Sequence, residues 1–220
     1  MGGLEAPMSR VKQVVLLVGL LVLSGGLWAS ARQASQGVLD PQDANEARLN
    51  RLQMPGRTMD AIGLVAGMSV AEIGAGRGRW VVQLAVRVGA RGRVYAEDID
   101  ESALAHLTKR CARWGLHQVE TVLGDTNDPK LPAGQLDRIF VISSYHHFAD
   151  PVALLRKARA GLKPGGKLAI GEWFPSQATG TSGTEPDVLK AQMAAAGYVF
   201  ERMETFLQSN GMNIYLFTVK

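Results

Sequence analysis

The sequence predicts a doubly wound α/β domain: a mostly parallel central sheet between two layers of helices, preceded by an apolar N-terminal segment. Three observations carry that prediction. Short apolar runs alternate with amphipathic, helix-length stretches through most of the chain. One run, Val70-Ala71-Glu72-Ile73, breaks into three alternating glycines, Gly74, Gly76 and Gly78, and turns helical from Trp80. The chain closes with two strand-like runs joined at Ser209-Asn210-Gly211, a hairpin signal.

In chain order, Arg10 and Lys12 precede an apolar run from Val14 to Leu23, followed by Ala29-Ser30-Ala31. A basic start, a short apolar middle and an A-x-A end describe a secretory signal peptide. The run falls short of the ~20 residues of a membrane span. If it extends to Ala29, residues 14–29 form an uncleaved anchor. Residues 1–31 are thus expected to be a signal peptide or membrane anchor, which makes the remainder exported, periplasmic or membrane-anchored. A start downstream of the run, at Met54, would leave it cytoplasmic.

Residues 32–54 read as a polar linker and a helix from Asp43 to Met54, ended by Pro55-Gly56. Thr58 to Leu64 reads as a second helix. The domain proper is expected over 55–220. Val70–Ile73 has the composition of a buried parallel strand. The helix that follows places Val81, Leu84, Ala85 and Val88 on one face and stops at Gly89. Arg93–Glu97 is the second strand, with Asp98-Ile99-Asp100 at its carboxyl end. Asp100 and Glu101 suit the start of a helix running to Trp114. Gln118–Leu123 and Leu136–Ile142 are the third and fourth strands. Asp150-Pro151 opens a helix ending near Leu162. Lys163-Pro164-Gly165-Gly166 turns into a fifth strand, Lys167–Gly171. Ser176–Gly183 is small and polar, as a mobile loop over a site would be. Glu185–Ala196 is a helix, and Tyr198–Leu207 with Met212–Val219 form the last two strands.

Composition excludes several classes. With 46% hydrophobic residues the chain has ample material for a core and is not a disordered segment. A net charge of +4 arises from 24 basic and 20 acidic residues. Arg87, Arg91, Arg93, Arg110 and Arg113 are scattered, as solvated helix faces are, so no nucleic-acid partner is expected. One cysteine, Cys111, rules out an internal disulfide or a Cys-rich metal site. It aligns with Leu104, Leu107 and Trp114 as a core residue. His106 and His117 lack acidic partners at ligand spacing, and no metal is expected.

A glycine loop feeding a helix N-terminus presents free N–H groups and a partial positive charge, a cradle for a nucleotide-like or carboxylate-bearing ligand. Asp98 lies 24 residues beyond Gly74, about one βαβ step, at the end of the sheet where such ligands bind. The third glycine of a dinucleotide fingerprint would fall at Arg79. The spacing acid, one residue, G-x-G-x-G instead resembles motif I of the class I S-adenosylmethionine-dependent methyltransferases. Asp98 resembles their motif II, Gly124-Asp125 their next acid, and L-K-P-G-G-x-L their turn before strand five. The resemblance covers roughly residues 55 to 220 and rests on four motifs in order.

It implies a seven-stranded, Rossmann-like methyltransferase fold, with S-adenosylmethionine as cofactor and a small-molecule acceptor. By resemblance, Glu72, Gly74, Gly76 and Gly78 hold the methionine part and Asp98 the ribose. Ile99 packs on the adenine, and Asp125 with Thr126 lies at its amino group. The loop after strand four borders the transferred methyl, which makes His146 or His147 a candidate base and Tyr145 and Phe148 candidate pocket walls. Glu172, Trp173 and Phe174 join that pocket from the end of strand five. The segment before the first strand either covers the pocket or caps the sheet edge. Two rival functions share these features: a nicotinamide-dependent oxidoreductase, and an exported, non-catalytic relic that binds a ligand or partner.

Overall fold

The chain divides into two units, Met1–Pro41 and Gln42–Lys220. The computed structural model describes residues 43–176 and 180–219. The expected signal or anchor and the linker up to residue 42 lie outside the described residues. Among those described, no helix is long and apolar enough to cross a membrane.

The elements are α1 (Ala44–Gln53), α2 (Pro55–Ala61), β1 (Ser69–Ile73), α3 (Arg79–Val88), β2 (Arg93–Asp98), α4 (Glu101–Arg113), β3 (Val119–Leu123), β4 (Leu136–Ile142), α5 (Pro151–Ala158), β5 (Leu162–Trp173), α6 (Pro186–Ala195), β6 (Tyr198–Glu204) and β7 (Met212–Val219). The strands form a seven-stranded sheet in the order β3-β2-β1-β4-β5-β7-β6. β1 to β5 are parallel, and β7 runs against both β5 and β6. The chain winds outward through β2 and β3 and then returns to β4 beside β1. The switch point therefore lies between the carboxyl ends of β1 and β4, where an open α/β sheet binds ligands.

Strand alternation supplies both helical layers with apolar surface. Val70, Val94, Ala96 and Phe140 face α2, α3 and α4, where Trp80, Leu84 and Leu107 are buried. Ala71, Ile73, Ile139 and Val141 face α5 and α6, where Leu155, Leu189 and Met193 are buried. Trp80 meets Phe140 edge-on, with ring centroids 5.1 Å apart. Cys111 belongs to the first of these clusters, as its spacing predicts.

Several expectations are corrected. Pro55 does not merely stop α1; it is the first residue of α2, whose fixed φ suits that position. Left-handed Met54 joins the two helices, and α2 ends at Ala61, short of the expected Leu64. The Lys163–Gly166 turn is part of β5, which bulges so that pairing moves from Leu136 with Leu162 to Arg138 with Lys167. β6 stops at Glu204, so the link to β7 holds a 3-10 turn, Gln208–Asn210, in place of a tight two-residue hairpin. Arg110 is not solvated. It is 3% exposed and grips Glu46 of α1 through two contacts of 2.6 and 2.8 Å. Arg87 donates to the Leu64 carbonyl and pairs with Asp60.

Candidate active site

The glycine loop leaves β1 and crosses the tip of β2. Gly74 and Ala75 N–H both donate to the Glu97 carbonyl, at 3.0 and 2.8 Å. Gly76 N–H donates to the Asp98 carboxylate at 2.6 Å. The three glycines serve different ends. A Cβ on Gly74 would lie 2.7 Å from the Ser144 Cβ, and one on Gly78 would lie 2.1 Å from a Leu107 methyl. Those two permit close packing within the protein. Gly76, with φ near +52°, has no atom within 4 Å of the same position and faces open space.

Glu72 points beneath the start of α3 and is 3% exposed. Burial holds its carboxyl well above the ordinary range, against the pull of the Arg79 guanidinium; the Asp98 charge adds to the rise. Its Oε2 has no hydrogen-bond partner. Arg79 is drawn the other way, donating to Asn50 and Gln53 of α1, and burial lowers it to about 10. Asp98 is half-buried; besides Gly76 it accepts from Asp100 N–H at 2.9 Å. Asp100 caps α4, as expected from its position. Ile99 and Leu123, on neighbouring strand tips, are 63% and 46% exposed.

Across the switch point, Ser144 Oγ donates to the Ile73 carbonyl at 3.1 Å, tying the β4 loop to the glycine loop. Ser143 has the left-handed φ of 56°, and its Oγ accepts from both Gln53 Nε2 (2.6 Å) and Trp173 Nε1 (2.9 Å). Helix α1 therefore reaches the carboxyl ends of β4 and β5, and the segment before β1 is more than an edge cap. Tyr145, His146 and His147 form a 3-10 turn. His146 Nδ1 lies 2.8 Å from Glu172 Oε1. His147 is exposed, and its ring lies 4.1 Å from that of His146; the turn stacks side chains that an extended loop would splay.

Residues 70–166 match the family model of the methyltransferase domain. The chain is 34% identical over 115 residues to nocamycin O-methyltransferase of Saccharothrix syringae, covering 52% of this chain and 41% of that protein. By similarity, the chain carries a methyltransferase domain over residues 70–166. It is also 27% identical over 112 residues to demethylmenaquinone methyltransferase of Listeria monocytogenes, covering 51% and 47% of the two. It spans less than half the length of these curated relatives. The crystal structure of an S-adenosylmethionine-dependent methyltransferase from Aquifex aeolicus shares the fold, with a TM-score of 0.70 at 23% identity over 84% of this chain and 98% of that one.

The residues present fit the family's cofactor. Glu72 has an unpartnered buried oxygen for an ammonium. The Asp98 carboxylate has lone pairs left for a ribose diol. Ile99 and Leu123 offer apolar surface to a purine. Of the other residues read from sequence, Asp125 and Thr126 are exposed, and Asp125 accepts from Thr126 N–H at 2.7 Å, as a turn former does. Tyr145, expected in the pocket, instead fills core against α6, with its hydroxyl donating to Gln192 Oε1 at 2.6 Å. Phe148 lies at the glycine loop, 3.8 Å from the site of a Gly74 Cβ. Trp173 is held by Ser143, and Phe174 N–H donates to the Gly211 carbonyl at 2.8 Å.

Sequence reasoning missed Gln53, Arg79, Ser143, Ser144 and Glu97. None of the five is marked by a motif: helices cover β2 on both faces, so alternation alone does not say that Glu97 near its tip is buried.

Proposed function

We propose that this chain transfers a methyl group from S-adenosylmethionine to a small-molecule acceptor. The observation that carries the reading is the open space at Gly76, whose N–H donates to the Asp98 carboxylate at the tip of the next strand. The cofactor supplies a methyl on a sulfonium, which leaves by in-line displacement. What the protein must add is mainly position. Glu72 and the glycine loop hold the methionine end, Asp98 the ribose, and Ile99 one face of the adenine, with Asp125 and Thr126 at its edge. Phe148, Trp173 and Phe174 border the acceptor. The nicotinamide reading is disfavoured by the methyltransferase-domain match and by Arg79, whose half-buried side chain stands where the dinucleotide fingerprint requires a glycine. A non-catalytic relic would have no need of this full set of contacts.

Calorimetry on the full chain tests the proposal. S-adenosylmethionine and S-adenosylhomocysteine bind, NAD does not, and Asp98→Ala loses most of the affinity. Binding of NAD alone would overturn it.

Residues 1–31 support a further part of the reading: export to the periplasm, or membrane association through residues 14–29. Cell fractionation with and without residues 1–31 checks this, and a full-length product found only in the soluble cytoplasm would refute it.

A further inference from the structure

Glu172 stands out among the buried groups that donor binding does not use. Its side chain is fully buried at the carboxyl end of β5, yet its Oε2 has no hydrogen-bond partner. Oε1 faces His146 Nδ1 at 2.8 Å and the Thr184 hydroxyl at 3.5 Å. The sheet creates this meeting. Ile142 pairs with Gly171, so Glu172 lies just past the end of β4, beside the turn that carries His146. The His146 side chain is 10% exposed, so part of the ring reaches solvent.

We propose that His146 and Glu172 form a proton-accepting dyad, and that the acceptor is therefore a hydroxyl compound of phenol or enol type. This rests on the methyl-donor reading. When Glu172 is ionised, Nδ1–H donates to it and the imidazole is fixed as the tautomer whose Nε2 carries a lone pair. In the reaction the acceptor oxygen forms a bond to the methyl carbon. The carbon–sulfur bond breaks, with its electron pair going to sulfur, and the O–H proton passes to Nε2. The products are a methyl ether, a neutral thioether and an imidazolium beside a carboxylate. The positive charge that leaves the sulfonium thus arrives next to a buried acid whose Oε2 lacks a partner.

An acceptor without an acidic proton has no use for such a pair, and an amine already free of its proton has little. The surrounding groups do not compete. The Tyr145 and Tyr215 hydroxyls are raised by burial and by the Glu172 charge, so they stay neutral. His147 is exposed, and its proximity adds to burial in keeping His146 neutral and ready to accept. Burial raises the Glu172 carboxyl to about 8 while the facing imidazole is neutral; an imidazolium 2.8 Å away would draw it back down, so a proton arriving at His146 is held as an imidazolium–carboxylate pair. His146 is the catalytic residue here, and Glu172 is a positioning residue.

The test uses the full chain loaded with S-adenosylhomocysteine and titrated with 4-nitrophenol, whose absorbance reports its ionisation. At a pH where the free probe is mostly neutral, the wild type should bind it with a phenolate band. His146→Ala should bind it without that band. Glu172→Gln should lower the bound phenolate-to-phenol ratio by about tenfold, or about 1.4 kcal/mol in proton affinity, and Glu172→Asp should restore part of it. Nitrogen-15 spectra of the imidazole should show Nδ1 protonated in the wild type and a mixture of tautomers in Glu172→Gln. Retained S-adenosylhomocysteine affinity shows that the variants fold. An undiminished phenolate band in His146→Ala, or no 4-nitrophenol binding by a chain that does bind S-adenosylhomocysteine, overturns the dyad alone. Failure to bind S-adenosylhomocysteine overturns the donor reading and the dyad with it.

Discussion

Replacing Glu97 by Gln should stabilise the protein, and increasingly so as pH rises. Glu97 is 2% exposed and is wedged between strand tips. Its Oε2 lies 3.4 Å from Gly74 N, and its Oε1 lies 1.7 Å from where a Gly124 Cβ would stand. Burial raises the carboxyl from an ordinary 4.5 to about 8; the Gly74 N–H opposes the rise, Asp98 adds to it and Lys130 opposes it. The folded state therefore holds this proton where the unfolded chain has released it. Stability from the protonated acid is complete below the unfolded value and is lost as pH climbs to the folded one. At ~1.4 kcal/mol for each tenfold, the whole interval is worth up to about 5 kcal/mol. The part between pH 6 and pH 9 is roughly 2–3 kcal/mol. Gln keeps an acceptor for Gly74 and never ionises. Urea unfolding of both proteins at pH 6 and pH 9 gives the difference directly. The gap should widen by roughly 2–3 kcal/mol in favour of the variant. Parallel pH profiles would show that Glu97 is not buried as an acid and would refute the reasoning.

Other outcomes follow from the same packing. Glu46→Ala removes the bidentate partner of buried Arg110 and should cost about 3–5 kcal/mol in urea unfolding; a loss under about 1 kcal/mol would mean the pair is solvated. Gly78→Ala forces a Cβ to within 2.1 Å of Leu107 at a φ of +84°, so the apparent melting temperature should drop by the equivalent of about 1–3 kcal/mol. Cys111 is buried and its thiol is pushed up to about 11, so it should resist iodoacetamide in the native protein and react once urea unfolds it.

Much of the scaffold was legible because its signals are local. β4 was read at the bounds the structure gives, since a continuous apolar run flanked by polar residues has few alternatives. The start of α4 was legible from Asp100, whose carboxylate can satisfy only nearby N–H groups. Counting one βαβ step from the glycines placed Asp98 at the end of β2, where it meets Gly76 N–H. Arg110 was misread because an arginine in a linear string looks solvated. Its burial depends on Glu46, 64 residues away, being delivered by α1. Tyr145 was misread because the 3-10 turn rotates it toward α6 and away from the crevice.

The sequence by itself determined the order of elements, the layered sheet and the end of it that takes a ligand. Those follow from periodicity, capping and glycine chemistry acting over a handful of residues. Only the tertiary structure decided which carboxylates are stripped of water and what they face. Glu72 beneath α3, Glu97 under the glycine loop and Glu172 against His146 owe their states to strand register and helix docking. Desolvation depends on neighbours distant in the chain, so a reading along the chain could place Glu72 and Glu172 at strand ends but not tell that they are stripped of water.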